Sequence, residues 1–269
     1  MPSILITGVT SGIGNALARK VAAEDGWTVL GTARRAAEPA SYGLPPGVIV
    51  LPLELSDPAS VDALTKRVLA EYGAPDVFVN NAGFVLYGPV EEESPAKIED
   101  LFRVNVFSAV ALIQGFLPAM RERGGGTIAN ITSLGGRLVF PFFSSYNATK
   151  HALEGYSEGL WHELKPFGIR VKAIEPGYVE TPIYKAMDGS AEPIGPYAPY
   201  VSAMNAFSDS IKNKTTPEAA ADEVWTAIID TSDRLRYPVA AYARPLVAAR
   251  RLIGDRMFMR LMHTQWMGK

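Results

Sequence analysis

Ser3-Ile4-Leu5-Ile6-Thr7-Gly8-Val9-Thr10-Ser11-Gly12-Ile13-Gly14 is a short apolar run closed by three glycines, and Asn15–Glu24 behind it reads as a helix. A strand, a glycine turn and a helix in that order make a dinucleotide-binding unit. Gly8 permits the tight turn, Gly12 lets the backbone approach a pyrophosphate, and Gly14 lets the helix pack closely, with the phosphates at its N-terminus. Thr10, Ser11 and Ile13 fill the rest of that phosphate loop. Glycine triplets alone are common; the strand–turn–helix setting gives this one its weight.

Outward from that stretch, Thr28–Thr32, Val48–Leu51, Val77–Asn80, Thr127–Ile131 and Arg170–Ile174 are further short strands. They are apolar throughout rather than alternating, as parallel strands covered on both faces must be. Helical segments separate them: one is capped by Asp57 with Pro58 at its first position, another starts at Ser94-Pro95. The alternation predicts an α/β fold, a doubly wound parallel sheet with right-handed crossovers, in a single domain over residues 1–269. Ligands of such sheets bind beyond the carboxyl ends of the strands.

The second strand bears on the choice of dinucleotide. A carboxylate about 20 residues beyond the glycines would hold the ribose 2′-hydroxyl of NAD. Here the strand ends Gly31-Thr32-Ala33-Arg34-Arg35. Ala33 leaves room for a 2′-phosphate and Arg34 offers it a guanidinium fork, which points to NADP.

The chain has no cysteine, which excludes disulfide scaffolds, iron–sulfur clusters, zinc–thiolate sites and a cysteine nucleophile. His151, His162 and His263 show no metal-ligand spacing, so no metal is expected. A net charge of −2 argues against nucleic acid as partner. No signal peptide fits, and the uncharged stretch from Val104 to Met120 reads as a buried helix rather than an integral membrane span. The expectation is a cytoplasmic protein. Charge is uneven, however: eight basic residues face one acidic residue from Arg234 onward, against eighteen and twenty-seven before it.

Hydride transfer requires a proton donor for the developing alkoxide, and without a zinc–thiolate site it must be a side chain. Tyr146-Asn147-Ala148-Thr149-Lys150 supplies one, because residues four apart share a helix face. The helix is supported by an apolar ladder of Ala148, Ala152, Tyr156, Leu160 and Leu164. A free tyrosine titrates at about 10, too high for a donor that must also act as base. An ammonium about 4 Å away contributes up to roughly 4 kcal/mol, the size of effect needed to bring it down.

Taken together these motifs resemble the short-chain dehydrogenase/reductase family in its single-domain form. The resemblance runs from residue 3 to about 182 through Thr7-Gly8-x-x-x-Gly12-x-Gly14, Asn80-Asn81-Ala82-Gly83, Asn105, Ser133, Tyr146, Lys150 and Pro176-Gly177. It implies a Rossmann fold and a nicotinamide cofactor. It implies Tyr146 as general acid/base, Ser133 hydrogen-bonding the substrate oxygen, Lys150 lowering the tyrosine pKa and binding the nicotinamide ribose, and Asn105 holding a relay water. Asn80, Ala82 and Gly83 would line the adenine-ribose side, and Pro176, Gly177, Val179 and Thr181 would flank the nicotinamide. Glu54, followed by Leu55, stands where the family commonly has an aspartate contacting the adenine amine; glutamate accepts the same bond from a longer stem.

Beyond Ser133 lie Leu138, Phe140, Phe142 and Phe143, and residues 184–210 alternate aromatics with Gly and Pro. They read either as a mobile lid over an apolar substrate or as cover for the sheet. The basic tail, about 242–269, sets Leu246, Ile253, Met257 and Leu261 on one helical face, with a break at Gly254-Asp255. It would pack on the domain, form an oligomer contact or touch an anionic membrane; the resemblance favours the first two and implies a homodimer or homotetramer. The expected activity is NADP-dependent interconversion of a secondary alcohol and a ketone on an apolar small molecule such as a steroid or retinoid. The alternatives are a β-ketoacyl-carrier reductase and a non-catalytic NADP sensor.

Overall fold

The computed structural model describes residues 1–184, 195–202, 214–240 and 242–267. Seven strands form one parallel sheet: β1 (Ser3–Ile6), β2 (Thr28–Ala33), β3 (Ile49–Pro52), β4 (Val77–Asn80), β5 (Gly126–Ile131), β6 (Ile169–Pro176) and β7 (Arg236–Val239). Their order is β3-β2-β1-β4-β5-β6-β7, so the sheet reverses direction of growth between β1 and β4. Folds of this kind take their ligands at such a switch point, beyond the carboxyl ends of the strands.

Helices cover both faces: α1 (Gly12–Ala22), α2 (Pro58–Glu71), α3 (Pro95–Phe102), α4 (Ser108–Arg123), α5 (Ser144–Leu164), α6 (Pro217–Ile229) and α7 (Ala243–Met267). One face buries Ile4, Ile6, Val77 and Val79 under Leu17 and Val21 of α1 and Val224, Trp225 and Ile228 of α6. Trp27 and Trp225 meet edge to face there, with centroids 5.2 Å apart. The opposite face buries Leu5, Leu30, Phe78 and Ile128 under α2, α4 and α5. Helix starts follow local chemistry. Asp57 accepts from Ala59 N at 2.9 Å and Thr216 from Ala219 N at 3.2 Å, each with a proline next in the chain.

Residues Pro95–Arg123 form a run long and apolar enough to cross a bilayer by length and composition. Its Leu112, Ile113, Phe116 and Met120 are buried against the sheet, so in this fold it is a core helix. Between α3 and α4 the ladder widens into a π-turn, Arg103–Phe107, which carries Asn105. Such turns are frequent at functional sites.

The structure corrects three sequence expectations. β7 was not foreseen. The apolar ladder on α5 holds only at its far end: Ala148 is exposed, while Asn147, Thr149, Lys150, Glu154 and Ser157 are buried. In α7, Gly254 (φ 75°, ψ 161°) breaks the helix as expected but also re-phases it. Phe258 is buried and Val247 and Met262 pack beside it, while Ile253, Met257 and Leu261 of the expected face are exposed. Most of the 184–210 segment lies outside the described residues. Within it, Val201 is 3% exposed and packs against Phe142.

Candidate active site

The phosphate loop is shaped by what its glycines leave out. Gly8 and Gly12 have φ of 74° and 60°, in the left-handed region that favours glycine. A Cβ on Gly8 would sit 2.9 Å from Ala82 Cβ, and one on Gly12 would sit 3.2 Å from Thr181 Cγ2, so three strand ends meet across this loop. The first turn of α1 has no acidic residue and its N-cap, Ser11, makes no side-chain capping bond, leaving the N-terminus suited to an anion. Thr10 and Ser11 are exposed and Ile13 is half-buried.

Gly14 is packed from below. A Cβ there would lie 2.3 Å from both Asn81 Nδ2 and Gly8 O. Gly14→Ala is therefore expected to cost about 1–3 kcal/mol and to weaken dinucleotide binding. Thermal unfolding and nucleotide titration check this; a variant unchanged in both would show that the loop yields freely.

Asn81 emerges as the organiser of this region, which sequence reasoning missed. Its Nδ2 donates to Thr7 O at 2.8 Å and Gly8 O at 3.1 Å, and its main-chain N donates to Thr7 Oγ1 at 2.9 Å. Asn80, expected on the adenine-ribose side, instead turns into the sheet. It is 6% exposed, and its Nδ2 donates to Asn130 Oδ1 at 2.9 Å. Asn130 Nδ2 in turn donates to Ser157 Oγ at 2.9 Å. This buried chain ties β4, β5 and α5 together, and strand alternation explains why Asn80 joins it. Ala82 and Gly83 are half-buried, Ala82 against Gly8 and Gly83 against Asn105.

Ala33 ends β2 at 4% exposure, and Arg34 and Arg35 beyond it are exposed with no ion-pair partner among the described residues. Tyr42 Oη donates to Arg35 O at 2.7 Å and fixes the turn. Glu54 is half-buried, with Oε1 accepting from Ser56 N at 3.1 Å and Ser56 Oγ at 2.8 Å; its carboxylate is held by its own turn, beside half-buried Leu55. Past β6, Pro176 and Val179 are buried and Gly177 and Thr181 half-buried. Tyr178 N donates to Tyr242 Oη, and a Cβ on Gly177 would lie 3.0 Å from the Tyr242 ring, so the root of the tail clamps this turn.

Ser133, Tyr146 and Lys150 converge where β5 ends and α5 begins. Ser133 Oγ accepts from Gly135 N at 3.0 Å and faces the Tyr146 hydroxyl. Burial pushes that hydroxyl above the ordinary tyrosine range, and Ser133 offsets part of the rise. Lys150, which the resemblance implies would lower it, donates from Nζ to Ile131 O at 2.9 Å and stands 5.7 Å from the Tyr146 ring centre. Burial brings Lys150 down to about 8, against the pull of Glu154 one turn on. Asn105 uses its whole amide inside the protein, accepting from Phe84 N at 3.1 Å and donating to Phe84 O at 3.0 Å and Thr149 Oγ1 at 3.3 Å. In this structure its side chain positions the loop after β4.

An apolar wall adjoins Tyr146. Phe143 stands 6.4 Å from the Tyr146 ring and 4.8 Å from Tyr87, with Phe142, Val201, Tyr197 and Met262 behind it. Phe142 adopts φ 65°, strained for a bulky residue, and its carbonyl accepts from Gly88 N at 2.9 Å.

Sheet order, glycine loop and site together define a Rossmann-fold oxidoreductase. The chain belongs to the short-chain dehydrogenase/reductase family: it matches the short chain dehydrogenase family over residues 2–191. It is 34% identical over 267 residues to human 17-beta-hydroxysteroid dehydrogenase type 1, spanning 92% of this chain and 80% of that one. It is 31% identical over 265 residues to the NADPH-dependent 3-dehydrocapnine reductase of Ornithobacterium rhinotracheale, spanning 94% and 93%. A short-chain dehydrogenase from Streptomyces avermitilis superposes with a TM-score of 0.82 at 34% identity, covering 98% and 95% of the two chains. The family binds a nicotinamide cofactor and acts on small molecules.

Proposed function

We propose that this protein interconverts a secondary alcohol and a ketone on an apolar small molecule, with NADP as its cofactor. The observation that carries the reading is the convergence of Ser133, Tyr146 and Lys150 beside the wall of Phe143 and Tyr87. The residues present fit a nicotinamide dinucleotide: the α1 N-terminus lacks acids, and the loop leaves no room for a Cβ at Gly8 or Gly14. Gly8 to Gly14, with Thr10, Ser11 and Ile13, would hold the phosphates. Arg34 would take the 2′-phosphate, with Arg35 beside it. Glu54, Leu55, Ala82 and Gly83 would line the adenosine end, and Pro176, Gly177, Val179 and Thr181 the nicotinamide end.

When bound, NADP gives or takes the hydride. The protein's part is the proton and the geometry. Ser133 orients the substrate oxygen, and Tyr146 exchanges a proton with it through Oη. Lys150, an ammonium at neutrality, favours the tyrosinate that proton loss leaves and binds the nicotinamide ribose. Asn105, its amide taken up by Phe84 and Thr149, fixes the loop after β4. Phe143, Tyr87 and Phe142 exclude water from the reacting atoms.

The relatives named for a steroid dehydrogenase and for an NADPH-dependent reductase support an apolar substrate and NADP, respectively. Following NADPH oxidation over ketones of graded size and over acyl-carrier β-ketoesters tests the reading. Turnover of bulky apolar ketones is expected. Turnover of the carrier-bound substrates alone would favour a β-ketoacyl reductase, and turnover of none would favour a sensor.

A further inference from the structure

Behind the Ser133 turn, charged side chains from four elements meet in the interior. Glu175, near the end of β6, is 0% exposed, and Glu154, one turn beyond Lys150 on α5, is 4% exposed. Arg137 Nη1 donates to Glu175 Oε1 at 2.9 Å. Arg236 of β7 donates from Nε to Glu154 Oε2 at 3.0 Å, stands 3.7 Å from Glu175 Oε1, and reaches exposed Glu158 with its other arm. Arg250 of α7 donates to the main-chain oxygen of Arg137 and pairs with Asp255. On α5, buried Lys150 stands one helical turn before buried Glu154, and His162 one turn after Glu158. A Cβ on Gly136 would sit 3.0 Å from Glu154 Cγ and 2.8 Å from Lys150 O, so the turn rests directly on α5 at this cluster.

Two carboxylate oxygens here, Glu154 Oε1 and Glu175 Oε2, are buried without a hydrogen-bond partner. A structural ion pair would be expected to use them, because an orphaned buried oxygen is costly. The chain also places this cluster between the Ser133 turn, Lys150 and the Pro176-Gly177 turn.

We propose that Glu154 and Glu175 are positioning residues for the reaction site: Glu154 supplies the negative charge that keeps Lys150 an ammonium, and Glu175, through Arg137 and Arg236, locks the Ser133 turn and the Pro176-Gly177 turn to α5. The proposal rests on the reading of Lys150 as a cofactor contact. Burial and the neighbouring Glu154 push the Glu175 carboxyl up to about 7, while Arg137 and Arg236 pull the other way. The cluster therefore gains a negative charge as pH rises through neutrality. The folded chain holds a proton that the unfolded chain releases at its ordinary carboxylate pKa. Stability from this group is thus greatest below that range, declines as pH rises towards 7, and is level above it.

The test uses the full chain, Glu154→Gln and Glu175→Gln, with NADPH binding followed by fluorescence across pH. In the unaltered protein, affinity should fall on the alkaline side as Lys150 loses its proton. Glu154→Gln should move that limb down by about one pH unit. Glu175→Gln should abolish the fall in thermal midpoint between acid pH and 7. A merely structural cluster would lower the midpoints and leave the alkaline limb in place, which would overturn the proposal. Infrared titration of the unaltered protein covers the case in which the variants do not fold. A protonated carboxyl should persist until pH passes about 7, and its absence would equally overturn the inference. Should the unaltered protein bind no nicotinamide dinucleotide, the proposed function fails instead, and the infrared result alone decides the cluster.

Discussion

Tyr146→Phe should leave the fold and dinucleotide affinity in place and reduce turnover by about 10²–10⁴-fold, the loss typical of removing a general acid. The substitution deletes one hydroxyl, facing Ser133, from a half-buried ring. Its cost to stability should stay near 1 kcal/mol, the net value of one hydrogen bond. The geometry sharpens the expectation. Burial holds the free hydroxyl high, and Lys150 is engaged with Ile131 O, so no other group beside Tyr146 among the described residues stands ready to exchange the proton. Turnover at saturating NADPH, measured with a ketone that the unaltered protein reduces, gives the comparison. A variant within tenfold of the parent would remove Tyr146 from the chemistry.

Cofactor choice should respond nearly as strongly. Arg34 and Arg35 project from the end of β2 without a carboxylate partner among the described residues, and buried Ala33 offers no acid to a ribose. A hydrogen bond between guanidinium and phosphate contributes about 1.5–3 kcal/mol, or about tenfold to a hundredfold in preference for NADP over NAD. Replacing both arginines by alanine should remove that preference and leave NAD affinity nearly unchanged. Ala33→Asp should invert it by accepting from the 2′-hydroxyl and repelling the phosphate. Titration of both nucleotides against the unaltered protein comes first; tighter binding of NAD there would show that this turn serves another purpose.

The fold was legible because parallel strands buried on both faces are short apolar runs, and six of them stand out from the helices between. β7 escaped because Arg-Tyr-Pro-Val at a sheet edge has neither the length nor the continuous apolarity of the others. Ser133, Tyr146 and Lys150 were legible as a spacing, but their electrostatics were not. The sequence places an ammonium one helical turn from a phenol; only the folded chain shows that ammonium bound to Ile131 O. Asn80 and Asn81 look alike on paper, and strand parity sends one into the sheet and the other under the glycine loop. Glu154 and Glu175 lie on different elements, and nothing local marks either as buried. The tail's apolar face was misjudged because helical phase does not survive the left-handed residue at Gly254.

The position of β1 also governs how the chain comes together in time. It pairs on one side with β2, starting at Thr28, and on the other with β4, starting at Val77; Ser3 N is further held by Asp76 Oδ2 at 2.7 Å. β5, β6 and β7 then join outward in chain order. During synthesis at about 5–20 residues per second, the inner edge of β1 stays without its neighbour for several seconds after β2 is made. The N-terminal third is therefore the aggregation-exposed intermediate of this protein. Truncation before Val77 should yield insoluble chain, whereas loss of the α7 tail should leave the sheet able to close.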